Sequence, residues 1–143
     1  MQRIHEELQL LAVVTGTANS TPLTTSWVDT KDVHELMGIA YFGDMASETI
    51  DFKIEQATDS SGTGAKDLKA ATQRSASASA NDSKQIVISA MSDKLDSNNG
   101  FRYVRLRAVT GGATGGAANL AIWARPVYKP ATQPASIVEV AVA

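Results

Sequence analysis

The sequence predicts an all-β protein, an antiparallel β-sandwich or jelly-roll-like domain with extended arms at its N- and C-terminal ends. Three observations predict it. Two segments, ETIDFKIEQA and FRYVRLRAV, alternate apolar and polar residues with period two, the pattern of a strand buried on one face and wet on the other. Turn-forming clusters of Gly, Pro, Asn, Asp and Ser recur between short apolar runs, which marks short strands. No segment sustains the period of a long helix, and such spacing favours a sandwich over an alternating α/β fold.

Residues 1–24 read as an N-terminal arm or first strand, 25–128 as the β-sandwich and 129–143 as a C-terminal arm. At the start, Ile4, Leu8 and Leu11 fit helical spacing, while LQLLAVV reads equally as a strand. TGTANSTPLTTS is loop or extended chain. SWVDTKDV carries a short strand with Trp27 inward, and HELMGIAYFGDM is an apolar run closed by a turn at Gly43-Asp44.

In ETIDFKIEQA, Ile50, Phe52 and Ile54 form the buried face and Asp51, Lys53 and Glu55 the wet one. After a glycine loop, KDLKAATQRSASASAN is a flat edge strand or a loose loop. KQIVISAM sets Ile86 and Ile88 against Val87, and DKLDSNNG is a turn. Val104, Leu106 and Ala108 then oppose Tyr103, Arg105 and Arg107. TGGATGGAAN reads as a hairpin loop returning the chain into LAIWARPVY, where Leu120, Ile122 and Ala124 oppose Trp123 and Arg125. KPATQPAS is an extended, proline-punctuated linker, and IVEVAVA is a short apolar segment of high β-propensity. The total is about six to eight short strands.

A chain of 143 residues suits one domain with a sizeable core. A hydrophobic content of 43% is globular usage. Lys plus Arg is 13 against 15 for Asp plus Glu, a net charge of -2. That balance argues against nucleic acid and against a strongly basic partner. The absence of cysteine removes disulfides, thiolate catalysis and cysteine metal sites, and suits a reducing compartment. Glu6 and Glu7 interrupt what would be a signal peptide, and no apolar segment approaches the roughly 18 residues of a membrane span. The expectation is a soluble chain with no membrane partner.

The loop Asp59-Ser60-Ser61-Gly62-Thr63-Gly64, followed by Ala65-Lys66, raises the question of phosphate binding. A phosphate-cradling P-loop requires longer glycine spacing and Lys followed by Ser or Thr at a helix start. Here Asp67 follows Lys66 and the next segment starts a helix poorly, so a loop between strands is expected. His5 and His34 have only sequence neighbours, Glu6, Glu7, Asp32 and Glu35, and no ligand spacing. Asp96–Gly100, DSNNG, lacks the alternation and late Glu of a calcium loop. No nucleophile elbow occurs and no carboxylate pair is singled out. The expectation is therefore no catalytic residue, no cofactor and no metal.

What remains is interface chemistry. Arg102, Arg105, Arg107 and Arg125 lie near Tyr103 and Trp123. If their two strands pair, Arg105 and Arg107 share a face with Trp123 or Arg125, either as an interface or as a surface paired to Asp51, Glu55 or a neighbour's carboxylates. Ile137, Val138, Val140 and Val142 lie beyond a proline-rich linker and require a partner surface, in this chain's own sheet or on a neighbour. Ile4, Leu8 and Leu11 pose the same choice. These residues are the candidate interface.

Within this order of segments, EQATDSSGTGAKDL and the later DKLDSNNGFRYVRLRAVTGGATGGAANLAIWARPVY are similar to paired motifs of small virion proteins of tailed bacteriophages. The resemblance spans roughly residues 36–128 and leaves both ends unmatched. It implies a non-enzymatic structural component of the particle, located on the capsid surface after synthesis in the host cytoplasm. More specifically it implies a capsid decoration, or cement, protein, a homodimer or homotrimer that clamps neighbouring major capsid protein subunits. The alternatives are a head–tail connector or a glycan-binding β-sandwich, whose aromatic platform would draw on Trp27, Tyr103 and Trp123.

Overall fold

A computed structural model describes residues 3–16, 22–43, 49–75, 83–111 and 118–141. One helical turn, α1 (Ile4–Glu7), precedes ten strands: β1 (Gln9–Thr15), β2 (Leu23–Thr24), β3 (Val28–Asp29), β4 (Val33–Phe42), β5 (Thr49–Ala57), β6 (Lys66–Ala70), β7 (Arg74–Ser75), β8 (Gln85–Met91), β9 (Tyr103–Gly111) and β10 (Ala118–Pro126). They form two antiparallel sheets. The first runs β1-β10-β4-β8 and the second runs β2-β9-β5-β6, with β3 also on β9 and β7 also on β5.

The ten strands fill eight positions, because β2 and β3 follow one another along β9, and β6 and β7 along β5. The first position then pairs with the eighth, the second with the seventh, the third with the sixth and the fourth with the fifth. That is the strand order of a jelly roll, two packed sheets built from nested Greek keys. It settles which of the two expected all-β architectures the chain adopts.

The period-two segments behave as their pattern requires. Ile50, Phe52, Ile54, Val104, Leu106, Leu120 and Ile122 are all buried between the sheets, with Leu36 and Phe42 beside them. Each such side chain contributes roughly 1.5–3 kcal/mol by leaving water. Gly38, on β4, admits Leu106 from the opposite sheet so closely that a Cβ there would lie 2.5 Å from Leu106 Cδ2. The interruption between β2 and β3 is bridged by Thr25. Its amide donates to the Leu106 carbonyl, and its hydroxyl accepts from the Leu106 amide at 3.0 Å. No backbone group of Leu106 is thereby left unpaired in the core.

Two expectations are corrected. β9 and β10 lie in different sheets, so the glycine-rich segment between them is a crossover and not a hairpin; its residues 112–117 lie outside the described set. Trp27 is not inward. Val28 packs on the core, and Trp27, one residue earlier, lies on the outer face of the second sheet under the Arg105 guanidinium, 4.6 Å from its ring centre. The turn expected at DKLDSNNG is present as two short 3₁₀ turns, Ser92–Lys94 and Ser97–Asn99, with Gly100 at φ +80° closing the second. Through Ala141, the segment beginning at Ile137 forms no strand. Asp44, residues 76–82 of the Ser/Ala stretch and Val142 lie outside the described residues.

Candidate functional site

The arginine cluster divides between two faces. Arg105 and Arg107 stand on the outer face of the second sheet, whereas Trp123 and Arg125 stand on the outer face of the first. Because their strands do not pair, the shared face expected from sequence does not form. Arg125 sits beside Glu35 at 3.6 Å on the neighbouring strand β4.

On the second sheet the charges neutralise one another. Glu55, buried on β5, meets Arg105 at 2.7 Å, Lys53 at 3.2 Å and Arg107 at 4.0 Å. Lys53 also reaches Asp67 on β6 at 2.6 Å. That hydrogen bond is the main reason the Lys53 pKa rises above its ordinary 10.5; partial burial opposes it and Glu55 adds to it. Arg102 pairs with Asp29 at 2.9 Å, and Asp51 accepts from Gln73. Arg105 and Arg107 are thus tied to Glu55 of their own chain, one of the carboxylates anticipated for them.

The glycine loop is closed by its own acid. Asp59 Oδ1 accepts the amides of Ser61 at 2.8 Å and Thr63 at 3.1 Å, while the Thr58 amide donates to the Thr63 carbonyl. Hydrogen bonds, first from the Thr63 side chain and then from these amides, hold the Asp59 carboxyl below its ordinary 3.8. Gly62 at φ +87° and Gly64 at φ +66° supply the left-handed turns the closure needs. The Ser61, Gly62 and Thr63 amides are therefore all turned onto Asp59. Lys66 binds Asp96 and covers the Phe101 ring at 4.1 Å. Asp96 in turn accepts from Asn99, and its amide donates to Gln56 at 2.9 Å. This is an inter-strand loop held by its own side-chain hydrogen bonds.

The ends of the chain are joined to each other. Leu11 packs on the core from β1, an edge strand of the first sheet, whereas Ile4 is 78% exposed. Leu8, half-buried, ends α1 and donates its amide to the Ile4 carbonyl. After β10 the chain crosses back along the N-terminal segment, with the Ala131 amide on the Glu6 carbonyl and Lys129 on Glu7 at 3.1 Å. Gln133 is the clamp. Its Nε2 donates to the carbonyls of His5 and Leu8, and its Oε1 accepts the Leu10 amide. Beyond Gln133 the arm leaves the domain: Ile137 is half-buried, Val140 is exposed and Val138 is 98% exposed.

Sequence reasoning missed this clamp and one apolar surface. Across the first sheet, Val13, Ala121, Ile39 and Val87 lie in one register row, and Leu10, Trp123, Met37 and Ser89 in the next. Both rows lie on the side of the sheet away from the main core, with Leu10 itself buried at the edge where Gln133 binds. The available signal was HELMGIAYF, whose apolar residues occupy both faces of a strand. Among the described residues no group of three His, Cys, Asp or Glu side chains stands close enough to hold a metal ion, and no helix is long and apolar enough to cross a membrane. No protein-family model matches the chain, and no curated protein matches it.

Proposed function

We propose that this chain is a structural protein of a tailed-bacteriophage particle, a decoration protein that binds the outside of the head and holds neighbouring major capsid protein subunits together. The observation that carries the reading is the C-terminal arm, clamped at Gln133 and then projecting with Val138 98% exposed. A closed jelly roll with an apolar arm is suited to bridging between subunits. Many weak contacts repeated over a shell give large total stabilisation. The resemblance of the QATDSSGTGAK and DKLDSNNGFRYVR stretches to phage virion proteins supports the same reading. The fold alone would not carry it, since jelly rolls serve many functions.

The test is the copy number of this chain in purified particles, by quantitative mass spectrometry against the major capsid protein. Hundreds of copies, in simple ratio to that protein, are expected. Six or twelve copies would replace decoration with the head–tail connector. Absence from particles would end the virion reading.

A further inference from the structure

The two outer faces of the sandwich differ in kind. The second sheet presents an ion-pair network centred on Glu55. The first presents apolar side chains across its full width: Val13 is 53% exposed on β1 and Val87 54% on β8, with half-buried Ala121 and Ile39 between them in the same row. Trp123 and Met37 fill the middle of the next row, and exposed Tyr41 and Met91 flank the two. A contiguous apolar surface of this sort marks an interaction site.

The same edge of the same sheet releases the arm. Gln133 bonds the Leu10 amide on β1, and the Leu10 side chain heads the row that contains Trp123. From there a turn at Ala135-Ser136, closed by the Ile137 amide on the Pro134 carbonyl, leads to half-buried Ile137 and exposed Val138 and Val140. One molecule thus carries an apolar face and an apolar strip that starts at that face's rim. Because the two adjoin, they form one self-complementary patch, which is what an isologous two-fold contact requires.

Size favours the combination. Four strands spaced about 4.8 Å apart make a face about 19 Å wide, and the outward rows extend about 20 Å along the strands, roughly 400 Å² in projection. A standard interface covers about 800 Å² per partner, so the face alone is short of a stable dimer. Beyond a turn at Ala135-Ser136, the five residues 137–141 reach about 16 Å when extended, most of the width of the face. Reciprocal arms therefore supply both the missing area and a cover for Val138.

We propose that the chain forms a two-fold dimer in which the outer face of the β1-β10-β4-β8 sheet of each copy receives residues 135–141 of the other. Val138 and Val140 lie on the row from Val13 to Val87, and Glu139 between them points to solvent. The proposal concerns self-association and holds independently of where the dimer docks.

Sedimentation velocity of the full chain at tens of micromolar tests it, with Val87→Glu and Val138→Asp beside the wild type. Both side chains are exposed, so neither change disturbs the core, and far-UV circular dichroism checks that both variants remain folded. A wild-type dimer is expected, with association weakened about 100-fold in each variant, because each places a charge in a buried apolar contact. The chain has no cysteine, so a mixture of Val87→Cys and Val138→Cys chains, oxidised together, is expected to give a disulfide-linked heterodimer. A monomeric or trimeric wild type, a dimer indifferent to Val87→Glu, or an arm that fails to cross-link to the neighbour's Val87→Cys would each overturn the proposal.

Discussion

Gly62 meets two constraints at once. Its φ of +87° lies in the left-handed region, and a Cβ there would fall 2.7 Å from Trp27 Nε1. Gly62→Ala is expected to cost about 1–2 kcal/mol and to alter the emission of Trp27, because the indole must move. An unchanged melting curve and spectrum would mean that the loop yields freely. Glu55 is constrained by charge. Glu55→Ala leaves Arg105 and Lys53 without their shared partner, and since those cations are partly exposed the cost is about 1–3 kcal/mol, below that of a fully buried pair. Urea denaturation of the two proteins measures it. Asp96 offers a pH readout. Its hydrogen bond from Lys66, then those from Asn99, lower its pKa on folding from the ordinary 3.8. The contribution is thus fully present above pH 3.8 and is lost as pH falls through the lower folded-state value. Wild type should melt above Asp96→Asn at about pH 7, and the gap should close on acidification. A gap that persists unchanged in strong acid would show that Asp96 acts through something other than its charge.

Among the elements, the arm is held to the N-terminal segment by Lys129, by the Ala131 amide and, with three hydrogen bonds, by Gln133. Gln133→Ala removes the hydrogen bonds to His5, Leu8 and Leu10. It is expected to speed hydrogen exchange at the Leu10 amide and to lower stability by about 1 kcal/mol. An unchanged Leu10 exchange rate would assign the anchoring to the backbone contacts of Ala131 instead. Nothing in KPATQPAS marks this residue, since the partners of Gln133 lie more than a hundred positions away. The long strands were legible for the opposite reason. Their alternation is local, and Ile50, Phe52 and Ile54 declare a buried face whatever the topology. Which strands pair is not local. A glycine-rich link serves a hairpin or a crossover equally well, so the separation of Arg107 from Trp123 was hidden. Trp27 was misplaced because a two-residue strand, Val28–Asp29, is too short to show a period. From Ile137 through Ala141 the chain has the composition of a strand but forms none, and β-propensity is largely a measure of fit to neighbours.

For the whole molecule, the jelly roll makes the two ends unequal. β10 lies inside the first sheet, flanked by β1 on one side and β4 on the other, and the Thr15–Asn119 pair joins residues from near opposite ends of the chain. Removing residues 1–15 would strip Leu11, Ala12 and Val14 from the core margin and leave β10 as an unpaired apolar edge. The final residues contribute no strand through Ala141, and Val138 gains nothing from the domain it leaves. Truncation after Ala135 is therefore expected to preserve the far-UV circular dichroism and to change the stability of the isolated monomer by no more than about 0.5 kcal/mol, the usual range for surface changes. Truncation of residues 1–15 is expected to give an unfolded or aggregating chain. The comparison needs dilute protein, where self-association does not add to stability. If the C-terminal truncation unfolded as well, residues 136–143 would belong to the core and not to an arm. If the N-terminal truncation stayed folded, the pairing of first and last strands would not be what closes the sandwich.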